Sequence, residues 1–179
     1  MVITAVVSEN VPLEDLKISL PEHMEWVDGQ YIEKNGMTLQ HSEIQFNLGF
    51  YWKSYLISNG QAGKVYTDVP CRTTKQLRRP DVAYLTPELV AEFGDAATLP
   101  QSFPLIAEIV SPTDIAEDVF QKAQEYLQSG CEEVWLVFGE SRLVLVMTQS
   151  QIVGFKSGEV VGTQKVLQGF SMAVAELVA

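Results

Sequence analysis

Cysteine, positive charge and long apolar runs are all scarce in this 179-residue chain. Its two cysteines, Cys71 and Cys131, have no metal-ligand spacing and no secretory context. That excludes a disulfide-framed secreted scaffold and a cysteine-based zinc module, and both residues read as reduced thiols that make poor nucleophile candidates. No run approaches the ~20 apolar residues of a membrane span, and MVITAVVSENVPLEDL carries no charged region ahead of its short apolar stretch. The expectation is a cytoplasmic protein with no signal peptide and no membrane attachment. Only 12 Lys and Arg stand against 23 Asp and Glu, a formal net charge of -11. Phosphate backbones repel such a surface, which argues against tight nonspecific binding of nucleic acid.

Apolar residues are plentiful at 46%, enough at this length for one real core, and the chain reads as a single domain over residues 1–179. It contains no internal repeat, low-complexity tract or linker. Residues 1–21 read as an irregular lead-in. Asp28-Gly29 between Glu25-Trp26-Val27 and Gln30-Tyr31-Ile32 is a strong hairpin signal. From Thr38 to Ser58 the period becomes helical, with Ile44, Leu48, Tyr51 and Tyr55 on one stripe that should lie across a sheet, and Asn59-Gly60 ends it. Strands are expected at Lys64–Thr67 and Asp81–Leu85, separated by a basic connection and followed by a long loop with Pro87, Gly94 and Pro100. Leu105–Val110 reads as a buried strand interrupted by one carboxylate, Glu108. A helix over Asp114–Ser129, two strands at Glu133–Phe138 and Arg142–Met147, then a hairpin and a weak terminal helix complete the pattern.

The chemistry concentrates where the strands of Arg79-Pro80-Asp81-Val82 and Ala107-Glu108-Ile109-Val110 would pair. Two carboxylates brought together repel unless a cation or a shared proton neutralises them, and hard oxygen ligands suit Mg²⁺ or Mn²⁺. Such an ion polarises a phosphoryl oxygen and acidifies water, both halves of phosphodiester hydrolysis. The plainer alternative for Asp81 is a turn residue after Pro80. For Glu108 it is weaker, because a glutamate among Ile106, Ile109 and Val110 is costly to bury alone. Asp114, Asp118, Lys122 and Tyr126 fall along one helical face, which could look into this site or stand in solvent as an Asp118–Lys122 pair worth a few tenths of a kcal/mol. On the exposed reading, Lys122→Ala changes stability by less than ~1 kcal/mol. His41 lies one turn before Ile44, where a lone histidine is more often structural than catalytic. Arg72, Lys75, Arg78 and Arg79 form a local basic cluster, either a DNA-contacting segment or a solvated loop.

Arg79-Pro-Asp-Val82, then Ala107-Glu-Ile-Val-Ser-Pro-Thr113, then Lys122, Tyr126 and Gly130-Cys-Glu-Glu-Val-Trp-Leu-Val137 resemble the Uma-two family, bacterial proteins described as putative restriction endonucleases. The resemblance extends to Glu25-Trp-Val-Asp-Gly29, His41-Ser-Glu-Ile44 and Val166-Leu-Gln-Gly-Phe170, covering about residues 20–175. It implies an α/β fold of the restriction-endonuclease, PD-(D/E)XK type: a mixed central sheet flanked by helices, here with an N-terminal hairpin. It further implies a DNA endonuclease in which Asp81 and Glu108 bind Mg²⁺ or Mn²⁺. Val110 occupies the usual lysine position, and Lys122 on the following helix stands in its place as the third catalytic residue. The family pattern also sets Glu25 and His41 near the same pocket, and it implies a homodimer acting on DNA. Two other readings stay open, a nuclease-fold interaction module that no longer cuts and a carboxylate-pair hydrolase of a smaller substrate.

Overall fold

The computed structural model describes residues 20–34 and 37–179; the expected lead-in lies, up to residue 19, outside them. The chain opens with β1 (Met24–Val27) and β2 (Gln30–Glu33), an antiparallel hairpin. Its turn residues Asp28 and Gly29 have φ of 50° and 84°, the left-handed pair that a two-residue hairpin needs and that Asp-Gly supplies at little cost. Helix α1 (Leu39–Ser58) starts at Thr38, whose side chain accepts from the His41 amide, and stops at Asn59, before Gly60 at φ 59°. Strand β3 (Lys64–Thr67) follows.

The expected basic connection is itself structured. It forms β4 (Cys71–Arg72) and β5 (Leu77–Arg78), which join the hairpin in a four-stranded sheet of order β2-β1-β5-β4. After β6 (Val82–Leu85) the expected long loop instead contains α2 (Pro87–Phe93). The residue that suggested a loop starts this helix: Thr86 caps it and Pro87 sits in the first turn, where a missing N–H costs nothing.

Strand β7 (Leu105–Val110), helix α3 (Ala116–Gln128) and strand β8 (Glu133–Phe138) form a parallel crossover, and β9 (Leu143–Met147) and β10 (Ile152–Lys156) complete a six-stranded sheet of order β10-β9-β8-β7-β6-β3. Only the β7–β8 pair is parallel, so the central sheet is mixed. The hairpin expected near the C-terminus is distributed differently. Strand β10 pairs back on β9, while β11 (Val160–Gly162) pairs with β12 (Ser171–Ala173) ahead of a short α4 (Val174–Leu177).

Strand alternation divides the core. Leu105, Ala107 and Ile109 of β7 face α1, packing with Ile44, Leu48, Trp52, Leu56 and Trp135. Ile106 faces the other way, toward Ala123, Tyr126 and Leu127 of α3. Glu108 shares the parity of Ile106, so the pleat directs it to the α3 side. Both cysteines are free and buried in the α3-side core, where burial pushes their thiols up, away from nucleophilic reactivity. Among the described residues no helix is long and apolar enough to cross a membrane.

Candidate active site

Val82 pairs with Ala107 across β6 and β7, and carrying that antiparallel register one residue further sets Asp81 opposite Glu108. Asp81 is 1% exposed, and its Oδ2 accepts from the Ile109 amide at 2.7 Å, which locks the carboxylate against the β7 backbone. Glu108 accepts from the Tyr126 hydroxyl at 2.8 Å and lies 3.0 Å from Lys122 Nζ, both on α3. The crossover turns the 122/126 face back over the strand that precedes it. Asp114 and Asp118, on the same predicted stripe, remain exposed at the cleft mouth.

Lys122 is not an exposed helix lysine. It bridges Glu108 and, at 2.9 Å, Glu25 of β1. The expectation that Lys122→Ala would barely change stability is therefore corrected, because removing this ammonium leaves two buried carboxylates facing each other. Glu25 also accepts from the Arg79 amide and from the Arg78 guanidinium, which ties β1 to β5 within the four-stranded sheet.

A second lysine, missed at the level of sequence, serves Asp81. Lys34, just after β2, places Nζ 2.5 Å from Asp81 Oδ1, 3.0 Å from Asp68 Oδ1 and 2.9 Å from the Arg79 carbonyl. His41 Nε2 lies 3.4 Å from Asp81 Oδ2, and Gln45, one turn along α1, donates to the Asp81 carbonyl and to Asp68. His41 Nδ1 is buried without a hydrogen-bond partner. Glu25 thus meets Glu108 through Lys122, and His41 lies against Asp81. Lys34 gave no signal because its approach depends on how the hairpin sheet docks; Glu125, which pairs with Arg78, was also missed, although its i, i+3 spacing from Lys122 could have found it.

The four basic residues do not form one outward cluster. Arg78 is paired with Glu125 at 2.8 Å and with Glu25 at 3.2 Å, and Arg79 donates to the carbonyls of Met24, Asp68 and Pro21. Arg72 is half-buried in β4. Lys75 is exposed, on the rim of a cleft of about 810 Å³.

That cleft is lined by Glu25, Glu108 and Lys122 on its floor side and by Asp28, Lys75, Arg78, Asp114, Asp118 and Glu125 among others. The electrostatics differ across the pair. Burial and the Asp81 charge push the Glu108 carboxyl up, against the pull of Lys122. Burial would also raise Asp81, but its contact with His41, the Lys34 charge and the Ile109 amide hold it well below the usual carboxylate range. Burial acts likewise on Glu25, which Lys122 and Arg78 nonetheless hold down to about 2. Lys122 and Lys34, against burial, are held above the ordinary lysine range by these carboxylates.

Among the described residues no group of three or more His, Cys, Asp or Glu side chains is arranged to enclose a metal ion. The oxygen donors of Asp81 and Glu108 still suit a hard divalent cation, since Mg²⁺ is commonly held by one or two carboxylates and keeps its remaining ligands as water.

A family model, Uma2, described as "Putative restriction endonuclease", matches residues 13–175. No curated protein matches the sequence. The fold is similar to the crystal structure of a protein from Anabaena variabilis ATCC 29413 described as "a putative nuclease belonging to DUF820", with a TM-score of 0.82 at 19% identity over 94% of this chain and 97% of that one.

Proposed function

The chain belongs to the Uma2 family of putative restriction endonucleases, and from that premise we propose that it is a divalent-metal-dependent endonuclease that hydrolyses DNA phosphodiester bonds. One observation carries the reading: just before β6, the register of the β6–β7 pair brings Asp81 opposite Glu108, and the Lys122 ammonium lies 3.0 Å from Glu108. Asp81 and Glu108 are the residues that would hold Mg²⁺ or Mn²⁺, and the ion, when bound, supplies a polarised phosphoryl oxygen and a more acidic water.

The protein's own groups have separable tasks. Tyr126 orients Glu108 through its hydroxyl, and the Ile109 amide and His41 orient Asp81. Lys122 keeps its proton against burial and so presents a fixed positive charge on the cleft floor, where a phosphate's developing charge requires one. This is the task left vacant by Val110. Glu25 fixes Lys122 from the hairpin side. Lys75, exposed on the rim, is the basic residue placed to meet a phosphate backbone from outside.

The test is single-turnover cleavage of supercoiled DNA with Mg²⁺, Mn²⁺, Ca²⁺ or excess chelator. Cleavage with the first two, and none with Ca²⁺ or chelator, is expected. A second reading, a nuclease-fold interaction module that does not cut, is favoured by the acidic surface and by the engagement of Arg78 and Arg79 inside the fold. The two are separated by thermal unfolding read beside cleavage, because a metal bound only to the native state raises the melting temperature whether or not DNA is cut. Metal-induced stabilisation without cleavage assigns the chain to the second reading.

A further inference from the structure

Helix α1 is apolar on two sides. One side, Ile44, Leu48, Trp52 and Leu56, is buried against the central sheet. The other exposes Leu39 at 92%, Phe46 at 69%, Phe50 at 55% and Ile57 at 68%, with Phe46 and Phe50 stacked ring on ring at 6.2 Å. The stacked Phe46–Phe50 pair is the apolar centre of this face, and Glu43 and Lys53 stand between it and the outlying Leu39 and Ile57; adjoining exposed apolar side chains mark an interaction site, whereas single scattered ones do not. Exposed residues of opposite charge, Glu43 and Lys53, flank the two phenylalanines.

The stripe is a palindrome about Leu48. Leu39 and Ile57 lie nine residues to either side of it, Glu43 and Lys53 five, and Phe46 and Phe50 two. At ~100° per residue, all six point within about 40° of the direction opposite Leu48. A two-fold axis through the outer face of Leu48 therefore lays α1 antiparallel on its own copy. It sets Leu39 against Ile57 of the second copy, Phe46 against its Phe50, and Glu43 against its Lys53, each contact occurring twice. An isologous interface requires this relation, in which residue i meets j and j meets i. A parallel arrangement would instead oppose Glu43 to Glu43 and Lys53 to Lys53.

We propose that the outer face of α1 is a homodimer interface, packed antiparallel about Leu48 with the Phe46 and Phe50 pairs at its centre and two Glu43–Lys53 pairs flanking them. The seam from Leu39 to Ile57 is about 27 Å long. Its apolar centre and charged flanks match the core-and-rim arrangement of specific interfaces. This inference does not depend on whether the chain cuts DNA.

Sedimentation and light scattering of the full chain across micromolar concentrations read the oligomer directly. Wild type is expected as a dimer. Phe46→Ser with Phe50→Ser should weaken it more than about a hundredfold while leaving the melting of the protomer unchanged, since both rings are outside the core. Glu43→Lys or Lys53→Glu alone should each weaken it roughly tenfold, because either one converts both flanking pairs to like charges. The double variant, with both charges exchanged, should regain wild-type association. Under oxidation, a mixture of Leu39→Cys and Ile57→Cys chains should cross-link, and neither variant should cross-link with itself. A monomeric wild type overturns the proposal and leaves the stripe to another occupant, residues 1–19 or a different protein. A dimer indifferent to the phenylalanine and charge exchanges overturns it as well, as does self-cross-linking of Leu39→Cys.

Discussion

Lys122 Nζ lies 2.9 Å from Glu25 Oε1 and 3.0 Å from Glu108 Oε1, so one ammonium on α3 ties the N-terminal hairpin to the central sheet. Position, charge and stability are coupled at this residue. Lys122→Ala is expected to abolish DNA cleavage and to destabilise the fold by on the order of 3 kcal/mol, because it takes the nearest cation from buried Glu108 and leaves Glu25 with Arg78 alone. Urea denaturation and single-turnover cleavage, measured on the same preparation at a temperature where the variant is folded, check both halves. Unchanged stability would show that solvent already neutralises Glu25 and Glu108.

The two carboxylates proposed to bind metal should respond in opposite ways to neutralisation. Asp81 is held charged by Lys34, its His41 contact and the Ile109 amide, so Asp81→Asn leaves the Lys34 ammonium short of its nearest anion and should cost on the order of 3 kcal/mol. Glu108 is a reluctant anion, pushed up by burial and by Asp81, so Glu108→Gln should cost less than about 1 kcal/mol while retaining an acceptor for Tyr126. Both substitutions should eliminate the rise in melting temperature on adding Mn²⁺. A shift that survives either change removes that residue from the metal site.

Acid stability follows from Glu25. Its folded pKa of about 2 is below its ordinary value of 4.5, so on acidification the unfolded chain takes the proton first. The stabilising contribution is fully present above about pH 4.5 and is lost as pH falls through about 2. Asp81 is shifted in the same direction and adds to it, whereas Glu108 is shifted upward and makes stability fall as pH rises past 4.5. Glu25→Gln should therefore lower stability at neutral pH and flatten its decline on the acid side. Urea midpoints at stepped pH for wild type and variant measure this, and parallel curves would show that Glu25 titrates alike in both states.

Much of this arrangement was legible in the sequence because it rests on local periodicity. The apolar run Leu105–Val110 marked its one carboxylate, Glu108, as needing a partner, the spacing of Asp118, Lys122 and Tyr126 set these residues on one face without deciding whether that face met the site or solvent, and Asp28-Gly29 marked the hairpin turn. Docking between elements was not legible. Lys34 reaches Asp81 only because the hairpin docks beside the start of β6, and no spacing rule relates residues that far apart in the chain. Arg78 and Arg79 read as outward charges for the same reason. Their carboxylate and carbonyl partners come from β1, α3 and the turn after β3, segments that approach only in the folded chain. Pro87 misled in a different way, since proline begins helices as readily as it interrupts strands.

The split fate of the basic residues separates DNA affinity from stability. Arg78 holds Glu25 and Glu125 together, with its guanidinium pushed further toward the charged form by Glu125 and Glu25 against burial, so Arg78→Ala removes a partner from a buried acid and a half-buried one. It should destabilise the protein by about 3 kcal/mol. Lys75 is exposed on the cleft rim, and Lys75→Ala should change stability by less than about 0.5 kcal/mol. If Lys75 neutralises one phosphate, its removal should reduce the slope of log affinity against log salt by about 1, uniformly across DNA sequences. Fluorescence anisotropy with a labelled duplex, in Ca²⁺ to prevent cleavage and at several salt concentrations, reads that slope. An unaltered slope for Lys75→Ala alongside a normal cleavage rate would move the DNA path away from this rim, and with it the assignment of the cleft floor as the place where the phosphodiester is cut.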